Sequence, residues 1–453
     1  MTFMKNKKTR FLRFLVFSIL TSLLPIGCND FVDVDLPPEL LDTKEVFSDQ
    51  GSANAAVRGI YAYATGSSSI TYLTSHIGLA SDEMERASYS SSYLEFAINE
   101  IDPTGSSTTN LWRGYYNIIY QCNNLIGNIA GSTALEEKTR QQLAGEAKFM
   151  RALSYFYLVN LYGEVPLALI PDYEETRLLP RSPVSAIYDQ IIMDLNEART
   201  SLSEDLFTLA GERIRANRWV ATALLARVQL YRENWEEAES LATEVINAGF
   251  YELEDLDRVF YADSGESILQ FANAGSNRYT NVQLTANAIE TPRVFLTEVM
   301  AGLILEEDSR RSAWLTPTGN GPLKYRAYSN TAGPETEEAN MVIRLAEMYL
   351  IRAEARTHQN NLTGENSATS DLDVIRSRAN LGGVTAATQA AMLQVIYDER
   401  ARELFAEWSH RWFDTIRTER ADEVFGSYKE GWDPADVIFP IPYDETLKNP
   451  NLN

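Results

Sequence analysis

The residues best equipped for chemistry in this 453-residue chain are three histidines and a run of carboxylates. His76, His358 and His410 have no second His or Cys at metal-ligand spacing, so the sequence indicates no metal site. It carries no GxSxG nucleophile elbow, no phosphate-cradling GxxxxGK(S/T) loop and no GxGxxG after a strand, and it implies no cofactor. Glu399, Glu403 and Glu407 recur every four residues, which puts them on one helical face and suggests a general acid and base. Arg400, Arg402 and Arg411 stand among them, and an ion-paired helical face is the commoner use of such a pattern. A glycosidase needs its two carboxyl groups opposed across a cleft, roughly 5 to 9.5 Å apart, and spacing along one helix does not create that. The sequence predicts no catalytic residue.

Binding asks for less. The apolar C–H face of a sugar ring stacks on an aromatic ring, and a few polar groups beside it fix the hydroxyls. Two stretches, 66–110 and 250–334, are rich in Ser, Asn, Thr and Gly, read mainly as loop, and form the predicted ligand face. Their candidates are Tyr72, Asp82, Tyr89, Tyr93, Tyr279, Trp314, Tyr325 and Tyr328. Trp314 leads because it lies between the charged EEDSRR and the polar TPTGNG, a setting that predicts exposure. Ordinary packing is the competing reading for each.

The scaffold for these loops is all-α. In 144–167, AGEAKFMRALSYFYLVNLYGEVPL, two apolar stripes predict a helix gripped from more than one side; Gly163 caps it and Pro166 prevents its resumption. Its rings, Phe149, Tyr155, Phe156 and Tyr157, are predicted core. Helices are also predicted over 52–63, 111–129, 185–202, 216–233, 235–248 and 370–379, and only 293–305 looks helical within the second loop region. Trp219, Ala223, Ala226 and Leu230 face Trp235, Ala238, Leu241, Ala242 and Val245, so small residues let two antiparallel helices approach in a tetratricopeptide-like unit. In SHRWFDTIR, Trp412 and Phe413 are predicted to pack inward while Arg411 and Asp414 cap or pair with a neighbour. Near the C-terminus, Pro440 and Pro442 predict an extended segment.

Lys5, Lys7, Lys8, Arg10 and Arg13 precede an apolar run at 14–24 that is too short to span a bilayer; PIG and Cys28 follow. This reads as a signal peptide over 1–27 ending at a lipidation cysteine, against the alternative of an ordinary cysteine behind a conventional leader. Residues 28–41 form an acidic tether, and 42–453 the helical body. Acylation of Cys28 would anchor the chain to a membrane, at ~0.8 kcal/mol per buried CH₂. Cys122 then has no intrachain partner and is predicted to be a small buried apolar residue. The leader holds five basic and no acidic residues, so without it the formal charge of −23 becomes −28. Nucleic acid is disfavoured as a partner, since its binding needs clustered Lys and Arg.

The AKFxRA run leading into YFxLVxxYGxVPL resembles the SusD/RagB family of outer-membrane nutrient-binding lipoproteins. Further blocks follow in the family's order: RIRANRWVATALLARVQLYRENWEEAESL, MVIRLAEMYLIRAEA, ERARELFAEWSHRWFDTIR and IFPIPYDETLKNPNL. The chain departs from the pattern at Ser409, where the family commonly has Gly, and in lacking a QNPGY-like tail; the first departure predicts looser local packing. The resemblance implies a surface lipoprotein that captures an oligosaccharide and releases it to a SusC-like TonB-dependent transporter in the outer membrane, with no covalent chemistry. It also admits an oligopeptide as ligand, places an acid near Asp82 in the ligand region, and lets Asp30, Asp33 and Asp35 serve either as an export signal or as solvated linker. A surface glycosidase and a helical-repeat adaptor are the rival classes.

Overall fold

Several helices open at a capping side chain, among them those that follow Asp49, Asn217, Ser367 and Thr388. The computed structural model describes residues 47, 49–86, 91–205, 213–271, 294–325 and 338–453. The leader, Cys28, the tether, Tyr89, Tyr279 and Tyr328 lie outside the described residues. The first half runs α1 (Gln50–Gly66), α2 (Ser68–Tyr72), β1 (Met84–Arg86), α3 (Ser91–Ala97), α4 (Ser106–Ala130), α5 (Glu137–Tyr162), α6 (Tyr173–Thr176), α7 (Val184–Ser201), α8 (Arg218–Tyr231) and α9 (Trp235–Asn247). The second half runs β2 (Ser267–Phe271), β3 (Val294–Leu296), α10 (Glu298–Leu303), α11 (Ser309–Trp314), β4 (Asn340–Arg344), α12 (Leu345–His358), α13 (Ala368–Arg378), α14 (Gln389–Leu404), α15 (His410–Arg417), α16 (Ala421–Tyr428) and α17 (Tyr443–Lys448).

The fold is all-α with tetratricopeptide-like pairs, as predicted. Packing passes from α4 to α5, α7, α8, α9 and α12, then to α13 and α14. The helix read first in the sequence, α5, is buried nearly all round because α4 and α7 clasp it from two sides, and its four predicted core rings are among the least exposed in the protein. It ends at Gly163, which takes φ +65° while its N–H bonds Val159 O. Cys122 is buried on α4, as predicted.

The charged residues inside the recognisable blocks are buried as well. Arg151 of α5 grips Asp194 of α7 in a bidentate pair at 2.8 and 2.7 Å. Arg227 of α8 does the same to Glu347 of α12, at 2.6 and 2.7 Å. Arg417 of α15 closes on Glu354 of α12 at 2.6 and 2.8 Å. Four of the five blocks thus supply half of an interhelical ion pair that burial makes costly to break, whereas Glu445 of the C-terminal block pairs with Arg113 at the surface.

Gly114 sets the approach of α4 to the start of α2. A Cβ there would stand 2.6 Å from Ser69 Cβ and 2.7 Å from Ser67 Oγ. Gly114→Ala is therefore expected to lower stability by about 1 to 3 kcal/mol in urea unfolding. An unchanged midpoint would show that the two elements separate at no cost.

Three expectations are corrected. The described part of region 66–110 is largely helical: α2 continues through a π-helical turn at Leu73–Ile77 into a short turn at Gly78–Ala80, followed by β1 and α3. The described residues of region 293–305 form a strand, then a helix, because Phe295 alternates outward between buried Val294 and Leu296 and the Thr297 hydroxyl caps α10. The C-terminal segment is extended only around Phe439, whose N–H bonds Leu161 O at 2.8 Å. Pro442 then occupies the N-cap of α17, where its missing N–H costs nothing.

Candidate functional site

The two regions read as the ligand face are sewn together. β1 and β3 pair antiparallel, with Met84 opposite Leu296, Glu85 opposite Phe295 and Arg86 opposite Val294. Thr297 extends the seam by donating its N–H to Glu83 O at 3.1 Å and its hydroxyl to Asp82 O at 2.6 Å. Met84, Val294 and Leu296 point into the core, which leaves Glu85 exposed and Phe295 half-buried on the outer face. Tyr428, 37% exposed at the end of α16, adjoins that face: burial raises its hydroxyl pKa, and the charges of Glu85, Asp82 and Glu298 raise it further. The outer face thus carries the Phe295 ring with Glu85 opposite it, and the charges of Glu85 and Glu298 reach the Tyr428 hydroxyl. An aromatic platform of this kind stacks on sugar rings while the carboxylates accept from hydroxyls.

Charge lies beneath the ribbon. Arg411 holds Asp82 through two hydrogen bonds, Nε to Oδ1 at 2.8 Å and Nη2 to Oδ2 at 2.7 Å. Glu83 is 1% exposed; its Oε1 accepts the Ala406 N–H at 3.1 Å and its Oε2 has no hydrogen-bond partner. Burial pushes its pKa up to about 7, against the opposing pull of the Ala406 N–H and Lys324. Lys429 donates to the carbonyls of Leu79 and Ala97, and desolvation pulls its pKa down to about 8.

The predicted site residues fall into two separate groups. Tyr72 and Tyr93 flank His76, at ring separations of 4.0 and 5.2 Å, and burial holds His76 neutral by pulling its pKa down to about 3. Tyr93 is buried and Tyr72 half-buried. Asp82 is also buried and committed to Arg411, so the acid proposed beside the ligand serves packing in this structure. Trp314 and Tyr325 belong to the other group, and the expected exposure of Trp314 is wrong. It is 1% exposed, and its indole N–H donates to Leu256 O at 2.7 Å. With Phe260 and Phe405 it encloses the ammonium of Lys324, which lies 4.6 Å from the Trp314 ring and 4.1 Å from that of Phe405. Tyr325 is equally buried, its hydroxyl accepting the Met341 N–H at 3.1 Å. A polar sequence context failed to predict exposure because Trp314 is covered by residues distant in the chain.

Sequence reasoning missed Phe295 and Tyr428. Phe295 lay in a segment read as helix, and Tyr428 lies outside both loop regions. The short β-branched and aromatic run Val294, Phe295, Leu296 was the available signal for a strand at the first; none existed for the second.

The Glu399, Glu403 and Glu407 series is not a solvated face. α14 ends at Leu404, and all three carboxylates are buried. Glu399 and Glu403 meet Arg310 at 2.7 and 3.0 Å, while Glu407 meets Lys324 at 2.5 Å and Arg344 at 2.8 Å. Such saturation with cations suits a structural role. Arg411 and Asp414 pair as predicted, Asp414 with Arg400 and Arg417. Ser409 does not loosen its surroundings: it is 2% exposed at φ +60°, and its hydroxyl donates to Leu73 O. That carbonyl opens the π-helical turn, where the altered ladder leaves an acceptor for it. A left-handed non-Gly residue costs roughly 1 to 2 kcal/mol, which one buried hydrogen bond largely offsets.

Among the described residues no group of three or more His, Cys, Asp or Glu is placed to hold a metal ion, and no helix is long and apolar enough to cross a membrane. Two family profiles match the chain. One, described as starch-binding associating with outer membrane, covers residues 30–230; the other, the SusD family, covers 301–453. The chain belongs to the SusD/RagB family. Neither profile reaches 231–300, the stretch that carries β2 and β3. SusD-like protein P25 of Formosa agariphila is 24% identical over 97% of this chain and 96% of its own length. Starch-binding protein SusD of Bacteroides thetaiotaomicron is 28% identical over 33% of this chain and 26% of its own length. Among solved structures, a SusD-like protein from Bacteroides fragilis superposes with a TM-score of 0.77 at 22% identity, covering 92% of this chain and 98% of that one. A laminarin-binding SusD-like protein gives 0.72 at 25% identity, covering 88% and 97%. The family is a carbohydrate-binding one associated with the outer membrane.

Proposed function

We propose that this SusD-like protein is a lipoprotein anchored through Cys28 on the outside of the outer membrane, where it captures an oligosaccharide and passes it to a SusC-like TonB-dependent transporter without turning it over. The observation that carries the reading is the β1–β3 ribbon, which unites two separate regions of a SusD scaffold under Phe295, Tyr428, Glu85 and Glu298. An acidic protein with a neutral aromatic platform suits an uncharged polyhydroxylated ligand. Tyr89, Tyr279 and Tyr328 belong to the same proposal: Tyr89 follows β1 closely in the chain, Tyr279 precedes β3, and Tyr328 follows Tyr325.

Isothermal titration against glycans and peptides tests the ligand class, and heat released only with peptides would overturn the glycan reading in favour of oligopeptide capture. Tyr428→Ala is expected to weaken glycan binding about tenfold, the ~1.4 kcal/mol typical of one stacked ring; unchanged affinity would remove Tyr428 from the site. Products released from a bound glycan on prolonged incubation would identify a glycosidase instead. Co-purification with a β-barrel transporter distinguishes delivery from a general adaptor role.

A further inference from the structure

We propose a second oligosaccharide-binding groove on the helical scaffold, along α4. The groove is about 430 Å³ and shares no lining residue with the ribbon surface. Its floor is one face of α4, from Arg113 to Asn123, which at 1.5 Å per residue is roughly 15 Å long and so takes a short oligosaccharide. Its walls are the segment after α5 and the C-terminal α17.

The walls are fixed by their own polar contacts. The Tyr116 hydroxyl donates to Pro166 O at 2.8 Å, Asn123 Nδ2 to Ala168 O at 2.9 Å, and Asn449 Nδ2 to Leu179 O at 2.8 Å. On this rigid cleft two aromatic rings stand out in solvent: Tyr120 is 52% exposed and Tyr173 70% exposed. Ile170, 43% exposed, adds an apolar contact, and Asn117 supplies an amide one helical turn from Tyr120. Large apolar side chains gathered in one concavity are the usual mark of a ligand site, whereas scattered ones are ordinary.

Charge selects the occupant. The cations at the rim are already paired: Arg113 with Glu445 at 2.8 Å, Lys448 with the same carboxylate at 3.2 Å, and Arg177 with Glu174 at 2.9 Å. An anionic ligand would have to displace these partners, whereas a neutral sugar stacks on the rings and uses the amide and carboxylate for its hydroxyls. Among the described residues no strand lines the groove, so an extended peptide finds no backbone edge there to pair with. This inference rests on the proposed carbohydrate binding. It adds a site that could hold one part of a long chain while the ribbon surface engages another, raising avidity by effective concentration.

Isothermal titration of the full chain, Tyr120→Ala/Tyr173→Ala and Tyr428→Ala with laminarihexaose and maltohexaose tests it. Both groove rings are exposed, so their removal leaves the fold intact. The expected result is two equivalents of one hexasaccharide on the wild type and one on the groove variant, with Tyr428→Ala weakening the retained one. One equivalent on the wild type, weakened by Tyr428→Ala and untouched by the groove variant, would overturn the groove and leave the proposed function standing. Absence of heat with either hexasaccharide would overturn the groove; heat from other glycans would still preserve the function.

Discussion

Arg344→Ala is expected to destabilise the protein by about 3 to 5 kcal/mol, the usual cost of leaving buried carboxylates without their cation. Arg344 ends β4 at 2% exposure and binds three acids: Glu266 at 2.8 Å, Glu403 at 2.7 Å and Glu407 at 2.8 and 2.9 Å. Its Nη2 also donates to Glu403 O at 2.6 Å. Glu403 and Glu407 remain ionised in spite of strong desolvation because cations surround them, Arg378, Arg344, Arg310 and Lys324 about Glu403 and Arg344 and Lys324 about Glu407, and the pKa of Glu403 lies well below the usual carboxylate range. Their contribution is therefore present above the unfolded pKa and is lost as pH falls through the folded one. Removing Arg344 exposes Glu266, Glu403 and Glu407 to mutual repulsion in a dry site. Arg113→Ala is the matched contrast: its pair with Glu445 is half exposed, and its loss should cost at most about 1 kcal/mol. Urea unfolding followed by tryptophan fluorescence measures both, and equal midpoints for the two variants would refute the distinction.

Glu83→Gln is expected to stabilise the fold at alkaline pH and to leave it unchanged in acid. A carboxyl whose folded pKa exceeds its unfolded value holds its proton more tightly in the native state. Its contribution is full below about pH 4.5 and is lost as pH rises through about 7. Above that, the native state carries a buried charge with one oxygen unpartnered. The displacement from 4.5 to about 7 corresponds to about 3 kcal/mol by pH 8.5. Glutamine keeps an acceptor for the Ala406 N–H and carries no charge to desolvate. The measurement is unfolding of wild type and variant at pH 5 and at pH 8.5; a difference that is the same at both pH values would exclude Glu83 as the titrating group. Since Glu83 lies directly before β1, its ionisation also bears on the ribbon that presents Phe295 and Tyr428.

Much of the scaffold was legible because it depends on local chemistry. Helical spacing with Gly163 fixed α5 and its stop, and small residues at Ala223, Ala226, Ala238 and Ala242 marked the closely packed pair α8 and α9. The loops were harder. Ser, Tyr and Gly content suggested irregular chain over 66–110, yet tertiary packing imposed helix on most of what is described there, because the burial of Ile70, Leu73, Ile77 and Leu79 outweighs the weak helix propensities of the Ser, Thr, Tyr and Gly residues among them. Trp314 shows the same limit from the other side, since neither EEDSRR nor TPTGNG contains Phe260 or Phe405, the rings that cover it.

By itself the sequence determined the all-α repeat scaffold and the family, because helical period, caps and most of the residues of the buried ion pairs are written within the blocks. Only the tertiary structure decided which aromatics reach solvent. Exposure is set by neighbours far away in the chain, and those neighbours bury Trp314 and Tyr325 while leaving Tyr428, Tyr120 and Tyr173 uncovered.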